Sequence, residues 1–253
     1  MERTQLIAAN WKMHKTAQET TTFAEELVPL VKNSKREIVI CAPYTVLHDL
    51  LKALKSTNMA FGAQNMHHEE RGAFTGEISS IMLKDAGCEY VILGHSERRQ
   101  YFNESNEFIN KKMHSALQHG LKAILCIGET VQEREAKKTF DVLKKQMGEC
   151  LSSVAKESMK SVVIAYEPVW AISGGNPNVK AATIDDAEAA HEFIRSMLSD
   201  LFGKKIAQET RILYGGSMKP ENASSLLRQK NIDGGLVGGA SLDPKQFADI
   251  CNS

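Results

Sequence analysis

The 253-residue chain has no excess of charge of either sign: 31 Lys and Arg face 31 Asp and Glu. That excludes nucleic-acid binding driven by bulk positive charge, but leaves room for a local anion pocket of backbone amides and one lysine. No apolar run approaches the ~20 residues of a membrane helix, and no secretory segment opens the chain, so no membrane partner is expected. Cysteine is scarce. Cys41, Cys88, Cys126, Cys150 and Cys251 are odd in number and contain no C-x-x-C pair. They read as free, mostly buried thiols in a reducing compartment, the cytoplasm. Walker A, HExxH and EF-hand patterns are missing. So is any Pro/Gly/Ser linker, which leaves residues 1–253 as a single expected domain.

What is present is a rhythm. Short, nearly continuous apolar runs occur at Leu6–Ala9, Ile38–Cys41, Met59–Gly62, Tyr90–Leu93, Ala123–Cys126, Val162–Ala165, Ile212–Tyr214 and Gly235–Val237. Runs of this kind suit strands of a parallel sheet buried on both faces. They recur roughly every 33 residues, the size of a βα unit. Eight such units in this length give an α/β chain folded as a (β/α)8 barrel. A doubly wound open sheet is the alternative, but it usually has fewer strands at this size, and no G-x-G-x-x-G follows the first run.

The intervening stretches read as helices. Phe140, Leu143, Met147, Cys150, Leu151 and Val154 form one helical stripe, with Thr130-x-x-Glu133 as the capping box that opens it. Asp243-Pro244 caps another helix ahead of Phe247 and Ile250. Phe23, Leu27, Leu30 and Val31 form a further stripe, which Pro29 should kink or shorten.

A barrel of this type collects its chemistry at the C-terminal ends of its strands. The first run ends in Asn10-Trp11-Lys12, where strand alternation would point Asn10 and Lys12 the same way and offer a cation to an anionic substrate. The fourth ends in Gly94-His95-Ser96-Glu97, which supplies His95 as an acid, base or hydrogen-bond donor. His95-Ser96-Glu97 also fits the H-x-E of zinc deaminases, but no P-C-x-x-C follows. The sixth ends in Glu167-Pro168, and burial there would raise the Glu167 pKa toward proton transfer. Residues 171–178 are partly apolar and rich in Gly and Pro, as suits a closing lid or a plain surface loop. The seventh and eighth runs end in Gly215-Gly216-Ser217 and Gly238-Gly239, where backbone amides can approach a phosphate. Other clusters read as bland: His67-His68-Glu69-Glu70 as a solvated loop rather than a metal site, and Glu133-Arg134-Glu135 as an exposed, ion-paired helix face.

Taken together, several segments resemble the triosephosphate isomerase family. They are Ala9–Met13, Gly72–Glu77, Leu93–Arg99, Cys126–Glu129, Ala165–Ile172, Tyr214–Ser217 and Val237–Ser241, in the family's order over almost the whole chain. The resemblance implies a barrel enzyme of glycolysis and gluconeogenesis that interconverts dihydroxyacetone phosphate and D-glyceraldehyde 3-phosphate, with no metal or organic cofactor. It implies Glu167 as base, His95 as neutral electrophile, Lys12 as the stabilising cation, Asn10 as a substrate contact and Glu97 as an acidic neighbour. It further implies that Ser173, Ser217, Gly238 and Gly239 hold the phosphate. The loop from Gln64 to Ile81 would enter a second copy in a homodimer, bringing Thr75 near the partner's active site. One departure stands out. The family's lid usually reads Ala-Ile-Gly-Thr-Gly-Lys, whereas this chain has Ala171-Ile172-Ser173-Gly174-Gly175-Asn176, with extra residues before Lys180. Two other readings remain open here: a barrel acting on a different sugar phosphate, and a barrel kept only for binding.

Overall fold

A computed structural model describes residues 3–172 and 182–253. Eight parallel strands close into one barrel in sequence order. Along the chain run β1 (Leu6–Asn10), α1 (Ala17–Val31), β2 (Glu37–Ala42), α2 (Leu47–Leu54), β3 (Ala60–Ala63), α3 (Ser80–Asp85) and β4 (Tyr90–Leu93). Then follow α4 (Ser96–Tyr101), α5 (Asn106–Gln118), β5 (Lys122–Ile127), α6 (Val131–Glu135), α7 (Thr139–Cys150) and β6 (Val162–Tyr166). The chain finishes with α8 (Ile184–Phe202), α9 (Lys204–Glu209), β7 (Ile212–Tyr214), α10 (Pro220–Leu227), β8 (Gly234–Val237) and α11 (Pro244–Asn252). All eight apolar runs of the sequence are strands.

The strands read as unbroken apolar runs because each side chain is buried whichever way it points. Leu6 and Ala8 face into the barrel with Val39, Ile92, Ile124 and Leu236. The alternate residues Ile7 and Ala9 face outward and pack under the helices with Phe23, Leu27 and Phe247. Register holds the barrel shut at the seam, where Leu6 to Ala9 of β1 pair with Gly234 to Val237 of β8. All five cysteines are free and buried.

Two helical expectations need correction. The Thr130–Glu133 capping box is real, but it opens the five-residue α6 and not the helix carrying the Phe140 stripe. That helix is α7, which starts separately at Thr139 and ends at Cys150, before Val154. Between the two, Lys137 takes a left-handed φ of 57° and stops α6. In α1, Pro29 lies inside the last turn and the helix ends two residues later, while Leu30 turns outward. Asp243 behaves as expected and accepts the N–H groups of Lys245 and Gln246 at the start of α11.

The His67-His68 segment is also not the solvated loop its charge suggests. His67 is buried, stacks on His68 at 4.5 Å and on Phe74 at 4.3 Å, and both histidines meet Phe108. Only Glu69 and Glu70 of that run are exposed.

Candidate active site

A cavity of about 490 Å³ opens at the C-terminal mouth of the barrel. Asn10, Lys12, His95, Glu97, Glu167, Ser217, Gly238 and Gly239 all line it. Ser173 and the lid tip lie outside the described residues.

Lys12 reaches the cavity by a different route from strand alternation. It has left β1 and sits at φ 53°, a left-handed conformation that a non-glycine residue adopts at a cost. Asn10 Oδ1 accepts the Lys12 N–H at 3.1 Å and Gln64 Nε2 donates to the Lys12 carbonyl at 3.0 Å, which together hold the turn. The Lys12 Nζ then meets Glu97 Oε1 at 2.6 Å. On the far side of the cavity, a methyl group added at Gly238 would lie only 3.7 Å from Lys12 Cε. The glycine-rich turn after β8 and the Lys12 side chain therefore border the same space.

His95 follows Gly94, the first residue past β4, and caps α4. Its Nδ1 accepts the backbone N–H of Glu97 at 3.3 Å. An acceptor at Nδ1 leaves the imidazole proton on Nε2, which faces Glu167 Oε1 at 2.9 Å. Burial lowers the His95 pKa, but the Glu167 carboxylate, with Glu97 adding to it, outweighs burial and moves the net direction upward.

Glu167 itself is 2% exposed. The sequence suggests a raised pKa, and burial does push that way. Here His95 and the Ser96 N–H and O–H bonds overcome it, so the carboxyl is held below its ordinary value. Ser96 donates its N–H to Oε2 at 2.9 Å and its hydroxyl to Oε1 at 3.2 Å. Ser96 is thus a clasp for the carboxylate. Its partner lies 71 residues away, and no local motif announces it.

Behind Glu167, Gly128 comes so close that a methyl group there would lie 1.7 Å from the Glu167 carbonyl oxygen. Only glycine permits that contact. The next residue, Glu129, is fully buried and accepts from Trp170 Nε1 at 2.7 Å and from the hydroxyls of Tyr166 and Thr139 at 3.2 Å. Burial raises its pKa against those bonds. Arg134 lies over the Trp170 ring at 4.6 Å and pairs with Asp186 at 2.6 Å. The α6 face is therefore not a plain surface: it anchors the segment that leads into residue 173. A packed Trp N–H usually finds an acceptor, so Trp170 is the signal that could have pointed to Glu129.

Among the described residues no three His, Cys, Asp or Glu side chains converge as a metal site. No described helix is long and apolar enough to cross a membrane. Cys126, beside Glu167 on β5, is a buried thiol whose pKa burial pushes well up, so it packs and does not attack.

Comparison with known proteins agrees with the geometry. The family model described as triosephosphate isomerase matches residues 5–253. The chain belongs to the triosephosphate isomerase family. It is 51% identical over 250 residues to the protein named triosephosphate isomerase from Caldanaerobacter subterraneus subsp. tengcongensis, covering 99% of each chain. It is 50% identical to the one from Alkaliphilus oremlandii, again over 99% of each. The crystal structure of triosephosphate isomerase from Bartonella henselae aligns with a TM-score of 0.88 at 39% identity, covering 98% of this chain and 97% of that one.

Proposed function

We propose that the chain interconverts dihydroxyacetone phosphate and D-glyceraldehyde 3-phosphate by proton transfer through an enediolate, serving glycolysis and gluconeogenesis in the cytoplasm. The observation that carries this reading is the 2.9 Å contact between Glu167 and His95 Nε2 in a cavity shared with Lys12.

A proton beside a carbonyl is hard to remove because negative charge gathers on oxygen in the transition state. Donors already aimed at that oxygen lower the barrier. The His95 Nε2–H lies against Glu167, so substrate has to displace one from the other. The substrate oxygen takes the Nε2–H, and the Glu167 carboxylate, released from Ser96, takes a proton from the neighbouring carbon. Glu167 then returns that proton to the adjacent carbon, where the double-bond electrons form the new C–H bond. The hydroxyl proton of the other oxygen passes by way of His95 to the first oxygen, and the electron pair it leaves behind closes the new carbonyl. Lys12 stabilises the dianionic substrate and the growing oxyanion, held in place by Glu97. Asn10 fixes the Lys12 turn and contacts substrate. The phosphate lies on the amides of Ser217, Gly238 and Gly239, with Ser173 completing the set when the lid closes. Phosphate binding far from the reacting carbons can then drive closure. No metal or organic cofactor takes part. Residues 1–253 act as one domain, and two chains pair through the loop from Gln64 to Ile81, with Thr75 near the partner's site.

The deciding assay is conversion of glyceraldehyde 3-phosphate by purified protein beside Glu167→Gln. Wild type is expected to convert substrate rapidly, and the variant to lose about 10²–10⁴-fold in kcat, the range of a general base. A folded wild type without conversion would overturn the reading and leave a barrel kept for binding.

A further inference from the structure

We infer that Arg99 is a positioning residue for this isomerisation: its guanidinium ties the ends of β4 and β5 together and so sets the spacing between His95 and Glu167. The inference rests on the catalytic roles proposed above.

His95 and Glu167 do not come from neighbouring strands. His95 follows β4, Glu167 follows β6, and β5 stands between them. Their separation is therefore the product of two junctions. The β5–β6 junction is closed by backbone alone, since the Ile127 carbonyl accepts the Glu167 N–H at 2.8 Å. The β4–β5 junction is different. Its last rung pairs Leu93 with Leu125. One residue later Gly94 turns to φ +70° and leaves the ladder just before His95.

Carbonyls alternate along a strand, so if Ile127 points toward β6, the Cys126 carbonyl points toward β4. There it would lack a donor. Arg99 supplies it. Nη2 donates to the Cys126 carbonyl at 3.0 Å, while Nε donates to the Gly94 carbonyl at 2.8 Å. A planar guanidinium can span two carbonyls at once, which a lysine ammonium on a flexible stem does less well. The fork is itself held: Nη1 donates to Asn106 Oδ1, and Asn106 donates to Glu149. Independent support comes from Gly94. A methyl group there would lie 3.1 Å from Arg99 Nη2 and 2.9 Å from Ile109 Cδ1, so the positive φ and the missing side chain both make room for the clamp.

Opening this junction moves His95 relative to Glu167 but leaves the turns after β7 and β8 untouched. Chemistry should suffer and phosphate binding should not. The pH dependence adds a second readout. Glu167 is met by His95 after β4, the neutral Cys126 thiol of β5 and Gly215 after β7, and it shares its cavity with Lys12 and Glu97. Weaker contact with His95 removes part of what keeps the Glu167 carboxyl low, so the acid limb of kcat/KM should move to higher pH.

The experiment compares wild type, Arg99→Lys and Arg99→Met, with rates expressed per folded chain from near-ultraviolet circular dichroism. Arg99→Met is expected to lose about 10–100-fold in kcat, the scale of a sub-ångström to ångström misplacement, with KM little changed and the acid limb raised. Arg99→Lys should fall between the two. An acid limb and kcat that stay at wild-type values in both variants would overturn the proposal. So would failure of both to fold, which would make Arg99 purely structural. An inactive wild type would instead defeat the isomerase reading itself, so the two failures are distinct.

Discussion

His191 lies on α8 with no exposed surface, edge-on to Tyr166 at 5.9 Å and beside Tyr214. Its Nδ1 approaches the Asn231 carbonyl at 3.2 Å, which makes Nδ1 the donor and Nε2 the bare, unprotonated nitrogen. Burial depresses its pKa to about 3. In the unfolded chain it titrates near ~6.5, so below that pH the unfolded state binds a proton that the folded state refuses. Stability from this residue is complete above ~6.5 and drains away as pH falls toward the folded value. Between pH 7 and pH 5 the wild type should lose about 2 kcal/mol more than His191→Gln in urea unfolding at fixed protein concentration. Equal losses would show that the imidazole does not titrate on unfolding. Neither this residue nor Ser96 was legible in the sequence as anything special. Asn10, His95 and Glu167 were, because the ends of barrel strands meet at one mouth. Glu97 was offered only by the resemblance, and Lys12 arrives through a left-handed turn and not by alternation. Ser96, Glu129 and Arg99 act through partners brought up by packing, and the clasp on Glu167 spans 71 positions.

Elements tell the same story through their ends. Strands were readable because burial on both faces leaves only apolar residues, and the Asp243 cap was readable because its chemistry is local. The end of α6 was not. Lys138 N–H reaches the Glu133 carbonyl and Lys137 N–H the Arg134 carbonyl, both at 2.9 Å, the bond pair of a Schellman stop. Glycine normally announces that stop, and here a lysine at φ 57° makes it. α5 carries a second hidden device. Lys112 is 1% exposed, and its Nζ bonds Glu104 Oε1 at 2.6 Å and Asn65 Oδ1 at 2.8 Å. Arg98 of α4 shares the same Glu104 oxygen at 2.6 Å. The ammonium thus joins α5 to the segment after β3 and to α4. Lys112→Met removes one cation from a buried carboxylate and strands the Asn65 oxygen. A loss of about 3–5 kcal/mol is expected from the shift of the urea midpoint at unchanged slope. A loss under about 1 kcal/mol would mean that Arg98 alone satisfies Glu104.

For the whole molecule, the surface carries a feature that a lone barrel has no use for. Residues 71–77 are exposed throughout, so the loop after β3 stands away from the body. Its apolar member Phe74 is 43% exposed, yet the loop is braced from within by the Phe74–His67 stack and by Glu77 N–H bonding the Phe74 carbonyl. A braced projection with an apolar residue on it suits insertion into a second body better than free motion in water. Met13, Tyr101 and Phe102 are each more than half exposed, and Met13 directly follows Lys12. In the proposed dimer a partner covering Met13 would press on the Lys12 turn, so assembly and catalysis would be linked. The closed two-fold dimer proposed above would satisfy both surfaces, since each chain would give a loop and receive one. Sedimentation should give wild type twice the mass of one chain, and Thr75→Arg, which places a long cation at the inserted position, the mass of one. With the Lys12 turn unsupported, the monomer should keep substrate binding poorly and lose about 10²-fold in kcat. If wild type sediments as one chain at assay concentration with full turnover, the dimer is not needed, and the exposed loop must serve another contact.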